Sequence, residues 1–152
     1  MIPTSAERVA AHTSHDVNRE IQDRMAESVR WHANHPEAIG RRLRELDQEW
    51  DIERTLEANA ASLMFAGVAL GAGVDKRWLA LPAFVSAFLL QHAVQGWCPP
   101  LPVLRRLGFR TVREIDEERF ALKALRGDFL EAKSRSRNAD DRPRKALSAA
   151  RL

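Results

Sequence analysis

Few residues in this 152-residue chain are equipped for covalent chemistry. Its one cysteine, Cys98, follows an apolar run and precedes Pro99-Pro100. A thiol reacts as its thiolate, which nearby positive charge favours, and Arg105 and Arg106 stand close by in sequence. Cys98 is therefore the candidate functional thiol. His92 lies six residues earlier, on a different helical face, so spacing alone implies no Cys–His pair. Gln91, His92 and Gln95 are the polar positions late in the apolar run, with Gln91 and Gln95 sharing a face with Phe84 and Phe88. Inside lipid, such groups face a partner helix or a water path, or reach the headgroups.

His12-x-x-His15 and His32-x-x-His35 have a spacing that a helical metal site can use. Neither pair has a carboxylate or cysteine to complete a ligand set, so no metal site is expected. Glu45, Asp47, Glu49, Asp51 and Glu53 are dense enough to suggest acid–base chemistry, but they read as a solvated helix face. One cysteine excludes a disulfide scaffold and a four-cysteine zinc site. Phosphate loops, nucleophile elbows and dinucleotide fingerprints are absent. The sequence offers no catalytic constellation and no cofactor motif, which points to a non-enzymatic protein.

The elements that must carry these residues follow from an uneven charge distribution. Residues 1–57 hold 8 Lys/Arg against 12 Asp/Glu, and residues 105–152 hold 14 against 8. Between them, residues 58–104 contain only Asp75, Lys76 and Arg77 as charges. The first uncharged run, Ala58–Val74, spans roughly 25 Å as a helix, and the second, Trp78–Trp97, roughly 30 Å. A hydrocarbon core is ~30 Å thick, so the pair reads as a transmembrane hairpin over 55–110, with helices about 56–74 and 78–97. Trp78 and Trp97 sit where interface anchors belong. The N-terminus shows no apolar signal-peptide core.

Lipid gives helices no hydrophobic reason to associate, so close approach relies on small residues. Gly67 and Gly71 form a G-x-x-x-G, Ala69 and Gly73 overlap it, and Ala83 and Ala87 offer the same spacing on the second helix. These positions are the candidates for helix packing and for contact between two copies. Lys/Arg asymmetry sets orientation: Arg41, Arg42, Arg44 and Arg54 precede the hairpin, and Arg105, Arg106, Arg110 and Arg113 follow it. Both termini are therefore expected in the cytoplasm. Asn59 and Ser62 in a short first run leave room for a soluble helical module with a buried hairpin.

An acidic N-terminal extension, 1–54, is expected to form helices at about 15–33 and 36–54. Val17, Ile21, Met25 and Val29 make one stripe; Ile39, Leu43, Leu46 and Trp50 make the next, with Pro36 opening that helix. Thr111-Val-Arg-Glu114 is a capping box for a cytoplasmic helix over 111–130, which Gly127 can end early. Ile115, Leu122 and Phe129 repeat along it. These flanking amphipathic helices can pack together or meet a partner or membrane surface. The basic segment 131–152 reads as a disordered tail, without the aromatic interleaving of a nucleic-acid binder. The fold class is all-α.

The hairpin and its exit resemble the YgaP-like inner-membrane protein family. The residues that carry this are Glu53-Arg54, the Gly-bearing helix, Gly96-Trp97-Cys98-Pro99 and Leu107-Gly108-Phe109-Arg110-Thr111, within about 51–111. The resemblance implies a small two-helix domain of the bacterial inner membrane that dimerises through the hairpin, with Cys98 as the family's cysteine. Members stand alone or are fused to rhodanese sulfurtransferase domains. This chain departs in its two extensions, in Pro100 and in Arg105-Arg106, and it carries no rhodanese domain, so it looks like a long stand-alone subgroup.

Together these readings give an adaptor or accessory protein of the bilayer, expected as a homodimer. Its role would touch sulfur or thiol handling, or permeation of a small anion, with a sulfurtransferase or another cytoplasmic protein as partner. One alternative is a thiol accessory that accepts persulfide at Cys98 from a separate sulfurtransferase. The other is a soluble helical protein-binding module.

Overall fold

The computed structural model describes residues 7–130. Every regular element among them is helical: α1 (Arg8–Ala11), α2 (His15–Asn34), α3 (Pro36–Gln48), α4 (Ile52–Gly73), a 3-10 turn (Lys76–Leu79), α5 (Ala80–Gln95), α6 (Leu101–Arg106) and α7 (Val112–Arg126). Two helices are long and apolar enough to cross a membrane. The tail expected at 131–152 lies outside the described residues. The described chain forms two compact units, 7–23 with 50–114 and 24–49 with 115–130.

In the first unit, α4 starts where Asp51 accepts a hydrogen bond from the Arg54 N–H at 2.9 Å. That cap satisfies a first-turn donor that the helix itself cannot. The helix expected over 36–54 is thus two: α3 stops at Gln48, Glu49 is extended, and α4 begins at Ile52 instead of near 56. Trp50 consequently leaves the buried stripe it was placed in; it is exposed, with the Arg54 guanidinium 4.4 Å from its ring centroid. The Ile52 N–H donates to the Arg110 carbonyl at 2.8 Å, tying the start of α4 to the turn before α7.

α4 and α5 run antiparallel, and their contacts are closest near the connecting turn. A Cβ on Gly67 would lie 2.5 Å from Pro82 Cδ, and one on Gly71 would lie 2.6 Å from Leu79 Cδ2. Both glycines therefore serve packing within the chain, where only a hydrogen fits. The expected second helix, 78–97, divides: Trp78 sits in the 3-10 turn, and α5 ends at Gln95. Gly96 stops it at φ +78°, a left-handed conformation that costs glycine little, and its N–H returns to the His92 carbonyl at 2.7 Å. Chain reversal then buries Cys98 and Leu101 with Val9, Ile52 and Leu56, against Trp97, Leu104 and Phe109. Trp97 is thus part of this small core. The short helices α1 and α6 carry no period long enough to be read from sequence.

In the second unit, Ile39, Leu43 and Leu46 of α3 pack with Ile115 and Leu122 of α7. Proline opens α3 as expected, where its missing N–H costs no helix bond. Glu118 has a fully buried side chain that accepts from Arg42 at 2.9 and 3.1 Å and from Ser28 Oγ at 2.7 Å. Three hydrogen bonds and a paired charge offset the desolvation of that carboxylate. α7 ends at Arg126 because Gly127 adopts φ +88°.

Candidate functional site

The ends of α4 and α5 opposite the connecting turn gather the polar side chains of the apolar region. Glu53, in the first turn of α4, meets His92, in the last turns of α5, with Oε2 2.8 Å from Nε2. Arg8 of α1 donates to the other Glu53 oxygen at 3.2 Å and to the Ala93 carbonyl at 2.9 Å. Arg8 can cross there because position 96 lacks a side chain: a Cβ on Gly96 would sit 2.5 Å from Arg8 Cβ. Gly96 is therefore required twice, for its backbone conformation and for this crossing. The His92 side chain is 5% exposed, and its Nδ1 is buried with no hydrogen-bond partner.

Between this polar end and the glycine contacts, α4 and α5 part around a cavity of about 430 Å³. Leu56, Asn59, Ala60 and Leu63 wall it from α4, and Val85, Phe88, Leu89 and His92 from α5. Cys98, Pro99, Pro100 and Leu104 close it beside the exit of α5. The volume lies within the ~300–1,000 Å³ usual for small-molecule sites, and the lining is mostly apolar as such sites are. His92 and Cys98 thus share a wall although helical spacing set them apart, because the chain reverses at Gly96. The acidic cluster read as solvated loses Glu53 to this site; nothing in its spacing pointed to His92.

Cys98 is buried, and desolvation pushes its thiol above the ordinary value; the Leu101 N–H works against that rise and Glu53 adds to it. Arg105 does not supply the positive field expected of it. Its side chain is 1% exposed and grips Glu114 through both terminal nitrogens at 2.7 and 2.8 Å. It also donates to Thr13 Oγ1, Asn18 Oδ1 and the Phe109 carbonyl. Burial works to raise the Glu114 carboxyl, but hydrogen bonds from Arg105 and from the Thr111 N–H and hydroxyl outweigh it, and the group is held below the usual carboxylate range. The capping box is present, with Thr111 N–H to Glu114 at 2.8 Å and Glu114 N–H to Thr111 Oγ1 at 3.2 Å. The same carboxylate thus starts α7 and anchors α6, which carries one wall of the cavity.

The remaining candidates lie apart from the cavity. Gln95 is exposed and Gln91 half-buried, while Ala69, Gly73, Ala83 and Ala87 are exposed along α4 and α5. Trp78 is also exposed. His12, His32 and His35 each hold a carbonyl of the preceding turn through Nδ1, at 2.8 to 2.9 Å, and His35 stacks on Trp31. The chain is all-helical among its described residues, with two helices apolar enough for a bilayer. It matches no family model, no curated protein and no solved structure.

Proposed function

We propose that this chain is an integral membrane protein in which α4 and α5 form a transmembrane hairpin and the other helices lie on the cytoplasmic side. Exposed apolar side chains on those two helices carry the reading: Phe65 is 78% exposed, Leu90 66%, Phe84 65% and Val94 61%. An apolar surface this dense is tolerated in lipid and not in water. The 22 residues of α4 reach about 33 Å; α5 and the 3-10 turn together reach about 32 Å. Glu53, His92 and Arg8 mark one end of this band and Asp75-Lys76-Arg77 the other.

The protein acts as a non-enzymatic adaptor of the bacterial inner membrane and belongs with the YgaP-like proteins it resembles. Two copies meet through the exposed Ala69/Gly73 and Ala83/Ala87 surfaces, since Gly67 and Gly71 are occupied within the chain. Burial of Cys98, with desolvation pushing its thiol above the ordinary value, favours this role over that of a persulfide carrier. Fractionation of the tagged protein with an alkaline carbonate wash tests the reading. Retention in the pellet and release only by detergent is the expected result; release by carbonate alone overturns it.

A further inference from the structure

We propose that the cavity between α4 and α5 binds one neutral single-chain lipid, an apolar tail with an uncharged hydrogen-bonding head; this inference rests on the membrane reading above. Polarity along the cavity is graded. Asn59, His92 and Cys98 stand toward the end where Glu53 and Arg8 meet, whereas Leu63, Val85, Phe88 and Leu89 continue toward the bilayer interior. A lipid has the same gradient in the same direction, so an amphiphile entering sideways from the bilayer arrives already oriented.

The wall selects against other ligands. None of the twelve lining residues carries a fixed charge, and the Arg8 guanidinium at this end is already engaged by Glu53, which stands directly behind His92, so the cavity offers a carboxylate or phosphate head no cation of its own. A volume near 430 Å³ suits one chain. His92 lines the same end with its ring: its Nε2 is committed to Glu53, and its Nδ1 is buried without a protein partner, so a ligand hydroxyl reaches that nitrogen only as the ring turns toward the cavity. A ligand hydroxyl would give this nitrogen the partner that the protein does not supply. Cys98 adds a thiol at the same end of the cavity.

Because Cys98 is the chain's one cysteine, its alkylation reports on the cavity without further engineering. The experiment uses the full chain purified in detergent after its carbonate resistance has been established, so failure of the membrane reading shows first. The rate of reaction with N-ethylmaleimide is measured with hexadecanol, with palmitate at pH 8 and with dioleoylphosphatidylglycerol. Saturating hexadecanol that fills about nine cavities in ten slows the reaction about tenfold, while the two anionic lipids have little effect. No slowing by hexadecanol overturns the proposal. Equal protection by palmitate overturns the neutral head, and equal protection by the phospholipid overturns the single-chain ligand. In the Ala60→Phe variant, with helix content checked by circular dichroism, alkylation is slow at the outset and hexadecanol changes it little. Val85→Phe, from the opposite wall, replaces it should that variant misfold. Unaltered hexadecanol protection in a folded filled variant places the ligand elsewhere and also overturns the proposal.

Discussion

The two ends of the α4–α5 pair solve opposite problems. Near the connecting turn, glycines bring one helix against Pro82 and Leu79 with no space left over. At the far end, larger residues hold the helices apart, and a carboxylate, an imidazole and a guanidinium connect them. The first end gains from dispersion contact and the second from hydrogen bonds among partly buried groups. The tight end sets the spacing and register of the pair. The open end can hold a cavity because α6, through Leu104, and the prolines complete its wall.

The largest expected effect lies in the support of the open end. Glu114→Gln keeps a residue able to form the capping box but leaves the Arg105 guanidinium buried without its counter-charge. A loss of about 3–5 kcal/mol is expected, read as a lower unfolding temperature in detergent. The pH dependence has a definite sign. Because the folded Glu114 carboxyl is held below its ordinary value, its contribution is complete above the ordinary carboxylate range and is lost as pH falls through the depressed value. The wild type should lose stability across that acidic window, and Glu114→Gln should lose less. Equal losses would remove Glu114 from the account.

At the tight end, Gly67→Ala should cost about 1–3 kcal/mol, because the new methyl meets a proline ring that cannot rotate away. Gly71→Ala meets mainly the Leu79 side chain, which can turn, and should cost less. Thermal unfolding of the two variants side by side gives the order; a reversed order would show that α5 shifts as a body. The smallest effect is expected at Gly73, where a Cβ has no atom within 4 Å. Within one chain Gly73→Ala should be neutral or stabilising by up to about 1 kcal/mol through helix propensity, so a loss on thermal unfolding would report the proposed contact between copies.

The same contrast separates what the sequence made legible from what it hid. Apolar runs, the Gly67/Gly71 spacing, the proline that opens α3 and the Thr111–Glu114 box are local patterns, and local patterns survive in the one-dimensional chain. The partners of Glu53 and Arg105 do not, because Glu53 is 39 residues from His92 and Arg105 is 92 residues from Thr13. Charge density around Glu53 suggested solvent, and the arginine pair after Cys98 suggested a reactive thiol. Each inference took a residue's neighbours in sequence for its neighbours in space. The break before α4 was more accessible: Asp51 is a residue type that caps helices, yet the continuing run of charged residues masked it.

The crossing of Arg8 over Gly96 also has a consequence for how the chain is made. Arg8 emerges from the ribosome 85 residues before Ala93, whose carbonyl it holds. Throughout that interval Glu53 has no imidazole to meet, and the first long helix is made before its polar end can close. The latch between α1, α4 and α5 is therefore among the last features of this unit to form during synthesis, although its first component is among the earliest to appear. A nascent chain halted within α5 would leave that end open, with Arg8 and Glu53 made but the imidazole that joins them still missing.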